Sequence, residues 1–359
     1  MQSSYQPFAH CGAVSRTTAP LLYWRWLKVF IVHDLGIAVL FCIVTMLGWG
    51  SWANTQKLAG KDKWPFELFY WDYAIGVFVF SVLFAFTLGS AGTSGMPFLE
   101  NLRTALSGPL WTAILSGVLF NISNILLVVG IDAAGMAVAF PVGVGLALVI
   151  GTVKSYVLEP KGNQALLFAG VALIVFAMIM SALAHHGLGE AAKTKPLRGL
   201  AFSAVAGCLM GFFYPQLIAA VSPDFTTRPI QPGLLTPYTA LVLFAVGLLA
   251  SNIVVNTIFM RAGKVTYTDY FRERARLHSL GFLGGCIWML ALSTNVIASG
   301  VAGPAISYAL GQGATLVAAI WGVFVWREFS GARKSTRTLV GLMFAGYVIG
   351  LVLIGAASL

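Results

Sequence analysis

Residues 277–326 read "LHSLGFLGGCIWMLALSTNVIASGVAGPAISYALGQGATLVAAIWGVFVW". About fifty residues pass without one Asp, Glu, Lys or Arg. A helix crosses a bilayer with roughly 20 apolar residues, so this run holds two crossings and must turn near Asn295–Gly303. Ser307, Tyr308 and Gln312 stand in the second crossing among glycines and a proline. Side chains that hydrogen-bond are costly in such a run unless they have partners. A bound solute is one such partner.

The rest of the chain follows the same pattern. Of 359 residues 58% are hydrophobic and only 9% charged, against about a quarter charged in a soluble domain. Charge-free windows run 35–56, 73–99, 104–131, 133–153, 162–189, 199–223, 229–260, 277–326 and 338–359. They predict ten helices over roughly 35–54, 68–89, 110–130, 133–155, 164–184, 199–221, 236–259, 279–297, 303–326 and 338–357. The expected fold class is all-α, a multi-pass membrane protein. Strands are excluded because an open strand in lipid leaves its backbone groups unpaired, and the alternation of a closed barrel is absent.

The net charge of +10 does not point to nucleic acid, because Lys and Arg sit at the ends of apolar runs, where membrane proteins anchor. The loops after spans 1, 3, 5, 7 and 9 carry 15 of them, and the termini and remaining loops carry 7. That asymmetry places the first set in the cytoplasm and both termini on the far side. Residues 1–34 read as an N-terminal extension, or as sequence ahead of the true start. The cysteines Cys11, Cys42, Cys208 and Cys286 form no CxxC pair, and the histidines show no ligand spacing. No disulfide, metal or cofactor is expected.

The two halves resemble each other. "WDYAIGVFVFSVLF" (71–84) matches "TPYTALVLFAVGLL" (236–249), "FPVGVGLALVIGTV" (140–153) matches "YALGQGATLVAAIWGV" (308–323), and "MLGWGSW" (46–52) matches "LMGFFYP" (209–215). This predicts a first five-helix repeat over 35–184, a central loop at 185–198 and a second repeat over 199–359. Five is odd, so the second copy runs inverted, the plan of secondary transporters. Gly and Pro interrupt spans 1, 4, 6 and 9 at matching places, which predicts a cavity at the bilayer midplane between them. Small residues also serve plain helix packing.

"GFFYPQLIAA" (211–220), "TPYTALVLFAVGLLASNIVVNTIFM" (236–260), "YTDYF" (267–271), "GFLGGCIWML" (281–290) and "IASGVAGPAISYALGQGATLVAAIWGVFVWREFSGA" (297–332) closely resemble the ureide permeases of the drug/metabolite transporter superfamily. "GWGSWA" (48–53), "WDY" (71–73) and "VIGTVKSY" (149–156) extend the resemblance, more loosely, into the first half. It implies ten helices, a cell (inner) membrane setting, and proton-coupled uptake of oxo-nitrogen heterocycles such as allantoin, uracil or xanthine. Plant members are similar in carrying a long central loop with a Walker-A-like stretch. Here "HHGLGEAAKTKPLR" (185–198) has no GxxxxGK[ST].

Such solutes are neutral, planar and rich in amides, so a site needs aromatic faces with amide or hydroxyl partners. The substrate-binding candidates are Trp49, Ser51, Trp52, Asn54, Asn121, Asn124, Tyr214, Gln216, Ser307, Tyr308, Gln312 and Thr315. Asn124 resembles the Asn of a Gly-Asn pair in the family, with Ser123 in place of that Gly. Each has a structural alternative, since Asn and Gln in membranes bond across helices for roughly 0.6–2 kcal/mol. A coupling proton needs an ionisable group at depth. Asp72, which resembles an Asp-Tyr pair of the family, and Glu67 are the candidates, with a solvated acid at a helix start as the alternative. Asp132 reads as a cap in a short turn, and Lys154 as a snorkelling or cavity charge. Charge runs at 264–278 and 326–331 read as solvated loops. No catalytic residue is expected. A sugar or other small-metabolite carrier, passive transport and a homodimer stay open. A membrane-embedded lipid or sugar transferase would want clustered His, Asp and Glu or a DxD motif, and neither occurs.

Overall fold

A computed structural model describes residues 29–92, 95–188 and 196–359. Most of the N-terminal extension and residues 189–195 of the central loop lie outside the described residues. Among the described residues, ten helices have the length and composition to cross a membrane. They are Leu35–Lys61 (span 1), Phe66–Phe86 (span 2), Ser107–Ala134 (span 3), Pro141–Leu158 (span 4) and Gln164–His186 (span 5). Leu197–Ala220 (span 6), Pro237–Gly263 (span 7), Ala275–Ala302 (span 8), Pro304–Val325 (span 9) and Lys334–Ala356 (span 10) complete the set. No β-strand occurs among the described residues, whose one isolated bridge joins Val221 to Leu235.

Local chemistry sets the helix starts. The Asp34 carboxylate accepts from the Ile37 amide at 3.0 Å. Asn163 accepts from Leu166 at 3.1 Å, and Thr236 caps span 7 with Pro237 in its first turn. Each satisfies an amide that a helix start leaves without an internal partner. The helix that carries span 4 begins at Met136, so Gly135 (φ 84°) alone joins it to span 3, and Gly303 (φ 86°) joins spans 8 and 9. A left-handed backbone that reverses a helix in one residue favours glycine. The turn in the long apolar run is therefore sharper than expected, and Asn295 lies within span 8. Asp132 likewise lies inside the last helical turn of span 3 rather than in a loop.

Hydrophobic burial does not draw helices together in lipid, so close packing and hydrogen bonds must. Glycines provide the approach. A methyl group at Gly117 on span 3 would stand 1.9 Å from the Phe244 carbonyl oxygen, and one at Gly247 on span 7 would stand 2.0 Å from that of Ile114. Spans 2 and 8 cross the same way, with Gly76 2.2 Å from Phe282 O and Gly285 2.0 Å from Tyr73 O by the same measure. Spans 5 and 10 meet at Gly170 and Gly350. The principal neighbours that are not consecutive in the chain are spans 3 and 6, 1 and 8, 4 and 6, 1 and 9, 2 and 8, 3 and 7, 2 and 7, 4 and 9, and 5 and 10. Moving every span five places along returns the same pairs. Ile253, Val254 and Ile258 on span 7 and Val352 on span 10 remain exposed, as apolar side chains facing acyl chains would be.

Two segments depart from the solvated loops expected of them. Within 264–278 a short helix, Tyr267–Arg272, is closed by a capping box between Thr266 and Asp269, and Tyr270 and His278 reach back into the bundle. From 326–331, Glu328 turns inward to Lys57 and His185.

Candidate functional site

Spans 1, 3, 4, 5, 6, 8, 9 and 10 enclose a cavity of about 740 Å³. Its position follows from the breaks in span 9. That helix runs Pro304–Gly311, bends at Gln312 and Gly313, resumes at Ala314–Ile320 and widens to a π-helical turn at Trp321–Val325. Gly311 has no room for a side chain, because a methyl there would lie 2.8 Å from the Trp49 ring and from the Asn295 amide. The Gln312 amide faces the cavity at the bend, and makes no hydrogen bond to a described residue.

The inner wall is aromatic. Trp49, Trp52, Phe120, Phe213, Trp288 and Tyr308 line it together with Asn124, Gln312 and Thr315. Trp49 stacks on Trp288 at 6.1 Å, and Phe120 lies 4.3 Å from Trp288. The ionisable side chains on the lining, apart from tyrosines, are Lys57, His185 and Glu328, and these gather at the mouth. Lys57 Nζ donates to Glu328 Oε1 at 2.5 Å, with His185 Nε2 3.7 Å from Oε2. Beside them Trp326 donates to Asn54 Oδ1 at 2.7 Å, and Trp321 donates to Ser51 Oγ at 2.9 Å.

His185 first, then Lys57, holds Glu328 down at about 2, against the opposing effect of burial. A depressed carboxylate contributes stability above its ordinary pKa and loses it as the pH falls through the folded value. Glu328 and Lys57 are both more than a third exposed. Glu328→Gln is therefore expected to lower stability by less than about 1 kcal/mol near neutral pH and by nothing below about pH 2, as measured by unfolding across pH.

The opposite end of the cavity is sealed. Tyr308 stacks on Tyr214 at 4.7 Å, and the Tyr214 hydroxyl meets Ser307 Oγ at 3.0 Å. Asn295 donates to the Ser307 carbonyl at 2.7 Å, and Tyr308 donates to that of Ala147 at 3.3 Å. Beyond this seal is a cavity of about 200 Å³ lined by Ser222, Asp224, Gln231 and Ser299. Lys161 lies over it, bonded to Glu159 at 2.6 Å and to Asp224 at 3.1 Å. Burial works against the Lys161 charge, but these two carboxylates outweigh it and raise its pKa.

The candidates thus separate. Trp49, Trp52, Asn54, Asn124, Tyr308, Gln312 and Thr315 line the large cavity. Tyr214 and Ser307 belong to its seal, and Ser51 serves as the acceptor for Trp321. Asn121 faces span 7, donating to Ser251 at 2.9 Å. Gln216 is half-buried on span 6, outside both linings. Lys154 is exposed beside the Phe212 ring. Asp72 is buried and accepts from Tyr270 at 2.6 Å and from His278 at 2.9 Å. Glu67 lies apart from it, against Gly263 of span 7. The sequence reading missed Phe120, Phe213 and Trp288, which look like core in an apolar run. It also missed Lys57, His185, Tyr270, His278 and Glu328. The spacing of "YFRERARLH" (270–278), an aromatic and a histidine flanking the basic run, was the one available signal.

The model of the family described as "Ureide permease" matches residues 69–197 and 190–357. The chain belongs to the ureide permease family. Membership makes it a multi-pass membrane transporter. It is similar to "Ureide permease 1" of Arabidopsis thaliana, 20% identical over 92% of this chain and 99% of that one. "Ureide permease 4" of the same plant is 23% identical with the same coverage. "Probable ureide permease A3" of Vigna unguiculata is 28% identical over 42% of this chain and 41% of its own length. A solved crystal structure at 16% identity shares the fold, with a TM-score of 0.60 over 88% of this chain and 96% of that one.

Proposed function

We propose that this ureide permease family member takes up small neutral oxo-nitrogen heterocycles such as allantoin, uracil or xanthine, in symport with protons, across the cell (inner) membrane. The observation that carries the reading is the division of the cavity. Its inner wall combines aromatic faces with the Asn124 and Gln312 amides and, among the described residues, holds no Asp, Glu, Lys, Arg or His, while the charged side chains stay at the mouth. A flat, uncharged ring stacks on such a wall and meets the amides through its own N–H and C=O groups. A charged solute would find no counter-ion there.

The return of neighbouring span pairs under a shift of five supports two inverted five-helix copies, 35–184 and 199–359, rocking against each other about the cavity. The excess of Lys and Arg in the loops at the mouth end supports a cytoplasm-facing opening. Asp72 serves as the coupling acid in this reading; among the described residues Glu67 has no titratable partner.

Thermal-shift and uptake measurements on the purified protein with allantoin, uracil, xanthine and monosaccharides test the substrate class. Stabilisation and uptake are expected with the heterocycles. Responses confined to monosaccharides would overturn the reading in favour of a sugar carrier.

A further inference from the structure

Asp72 sits in the second turn of span 2, with its side chain 7% exposed. Room for it comes from Gly281 of span 8, where a methyl group would stand 2.6 Å from the Asp72 Cβ. His278 Nδ1 reaches both carboxylate oxygens, at 2.9 and 3.1 Å, and its ring is 27% exposed. Tyr270, from the short helix outside the membrane, donates to Oδ1 at 2.6 Å. Burial and the adjacent carboxylate raise the pKa of that phenol, so it remains a donor. Trp64 lies edge-on to the His278 ring at 5.5 Å.

Two of the charges near the pair have partners of their own. On span 8, Arg276 binds Asp62 at 3.0 Å. Past the short helix, Arg274 pairs with Glu273. Asn256 and Met260, which span 7 presents to this part of span 2, are neutral and bond to Glu67 O and Trp71. On span 2 itself, Tyr70 and Tyr73 are buried and stacked at 5.2 Å. Tyr73, next in sequence to Asp72, also leans on Trp52 of the cavity wall at 5.0 Å.

We propose that Asp72 and His278 together bind the transported proton, with Tyr270 as a positioning residue. This rests on the reading of the chain as a proton-coupled carrier. The empty pair is a carboxylate beside a neutral imidazole, with net charge −1. A hydronium ion gives up its proton to Nε2 and leaves as water, giving an imidazolium against the carboxylate. Breaking the Nδ1–H bond and forming O–H on Asp72 then leaves a carboxylic acid and a neutral imidazole, with net charge zero. A buried net charge at membrane depth is costly, so the loaded, neutral pair favours span 2 and span 8 moving as a sealed unit. Tyr73 carries that movement to Trp52.

The test uses the full chain in liposomes with allantoin and uracil as probes. Asp72→Asn and His278→Gln are each expected to reduce accumulation driven by a pH gradient at least tenfold. Solute exchange at equal pH should stay within about twofold of wild type. Asp72→Glu should recover part of the accumulation, and Tyr270→Phe should displace the pH profile without flattening it. Wild-type accumulation in both neutral variants would overturn the proposal. So would equal loss of accumulation and exchange, with no recovery in Asp72→Glu. Fluorescence provides an arm that needs no solute, because an imidazolium quenches an indole in contact with it. A pH-dependent step is expected that His278→Gln removes and Asp72→Asn displaces; an unaltered step in both overturns the proposal. A wild type that transports neither probe but shows that step, removed and displaced as stated, overturns the substrate reading and supports the proton pair.

Discussion

Replacing Gln312 by alanine lowers uptake of a heterocyclic solute about tenfold or more and leaves the amount of protein in the membrane unchanged. The amide stands at the bend of span 9, on the cavity wall, with no hydrogen bond to a described residue. Removing it therefore breaks no hydrogen bond to a described residue. A solute that had bonded to it is left with an unmet polar group in the cavity. An unmet buried polar group costs roughly 1–3 kcal/mol, and about 1.4 kcal/mol is tenfold in affinity. Radiolabelled uptake with parallel quantification of membrane protein measures both halves of the expectation. Uptake kinetics like those of wild type would remove Gln312 from the binding site.

Gly117→Val and Gly247→Val are expected to leave almost no folded protein. Each places its first added carbon about 2 Å from a backbone carbonyl of the partner helix, a contact that rotamer changes cannot relieve. Overpacking of a core costs roughly 1–3 kcal/mol when side chains can shift. Here spans 3 and 7 must separate along their crossing. The control is Gly341→Ala on span 10, where the space is open. It is expected to be neutral, or to stabilise by up to about 1 kcal/mol through helix propensity. Yield after gentle detergent extraction, followed by size-exclusion profiles, separates the two outcomes.

The ten spans were legible because lipid excludes charge, so each crossing declares itself as a gap between charged residues. The connections were less so. Gly135 and Gly303 turn the chain in one residue without any charge to mark the place, and the helices on either side run to their limit. Within the cavity, Trp52, Tyr308 and Gln312 stood out as polar or amphipathic groups beside helix breakers. Phe120, Phe213 and Trp288 did not, because sequence alone does not distinguish an aromatic ring lining a cavity from one filling a core. His278, Tyr270, Lys57 and Glu328 were hidden for the opposite reason. They lie in charged stretches that normally face water, and only the return of the chain onto spans 1, 2 and 5 gives them partners.

Those one-residue reversals bear on how the protein is made and probed. Spans 3 and 4, and spans 8 and 9, have no slack between them, so each pair must enter the bilayer as a single hairpin during synthesis. An epitope, a glycan acceptor or a cleavage sequence inserted at Gly135 or Gly303 would have to unwind a helix end to be exposed. Reporters mapping which face of the membrane each segment occupies therefore belong in the longer connections, such as 221–236, and not at these two glycines.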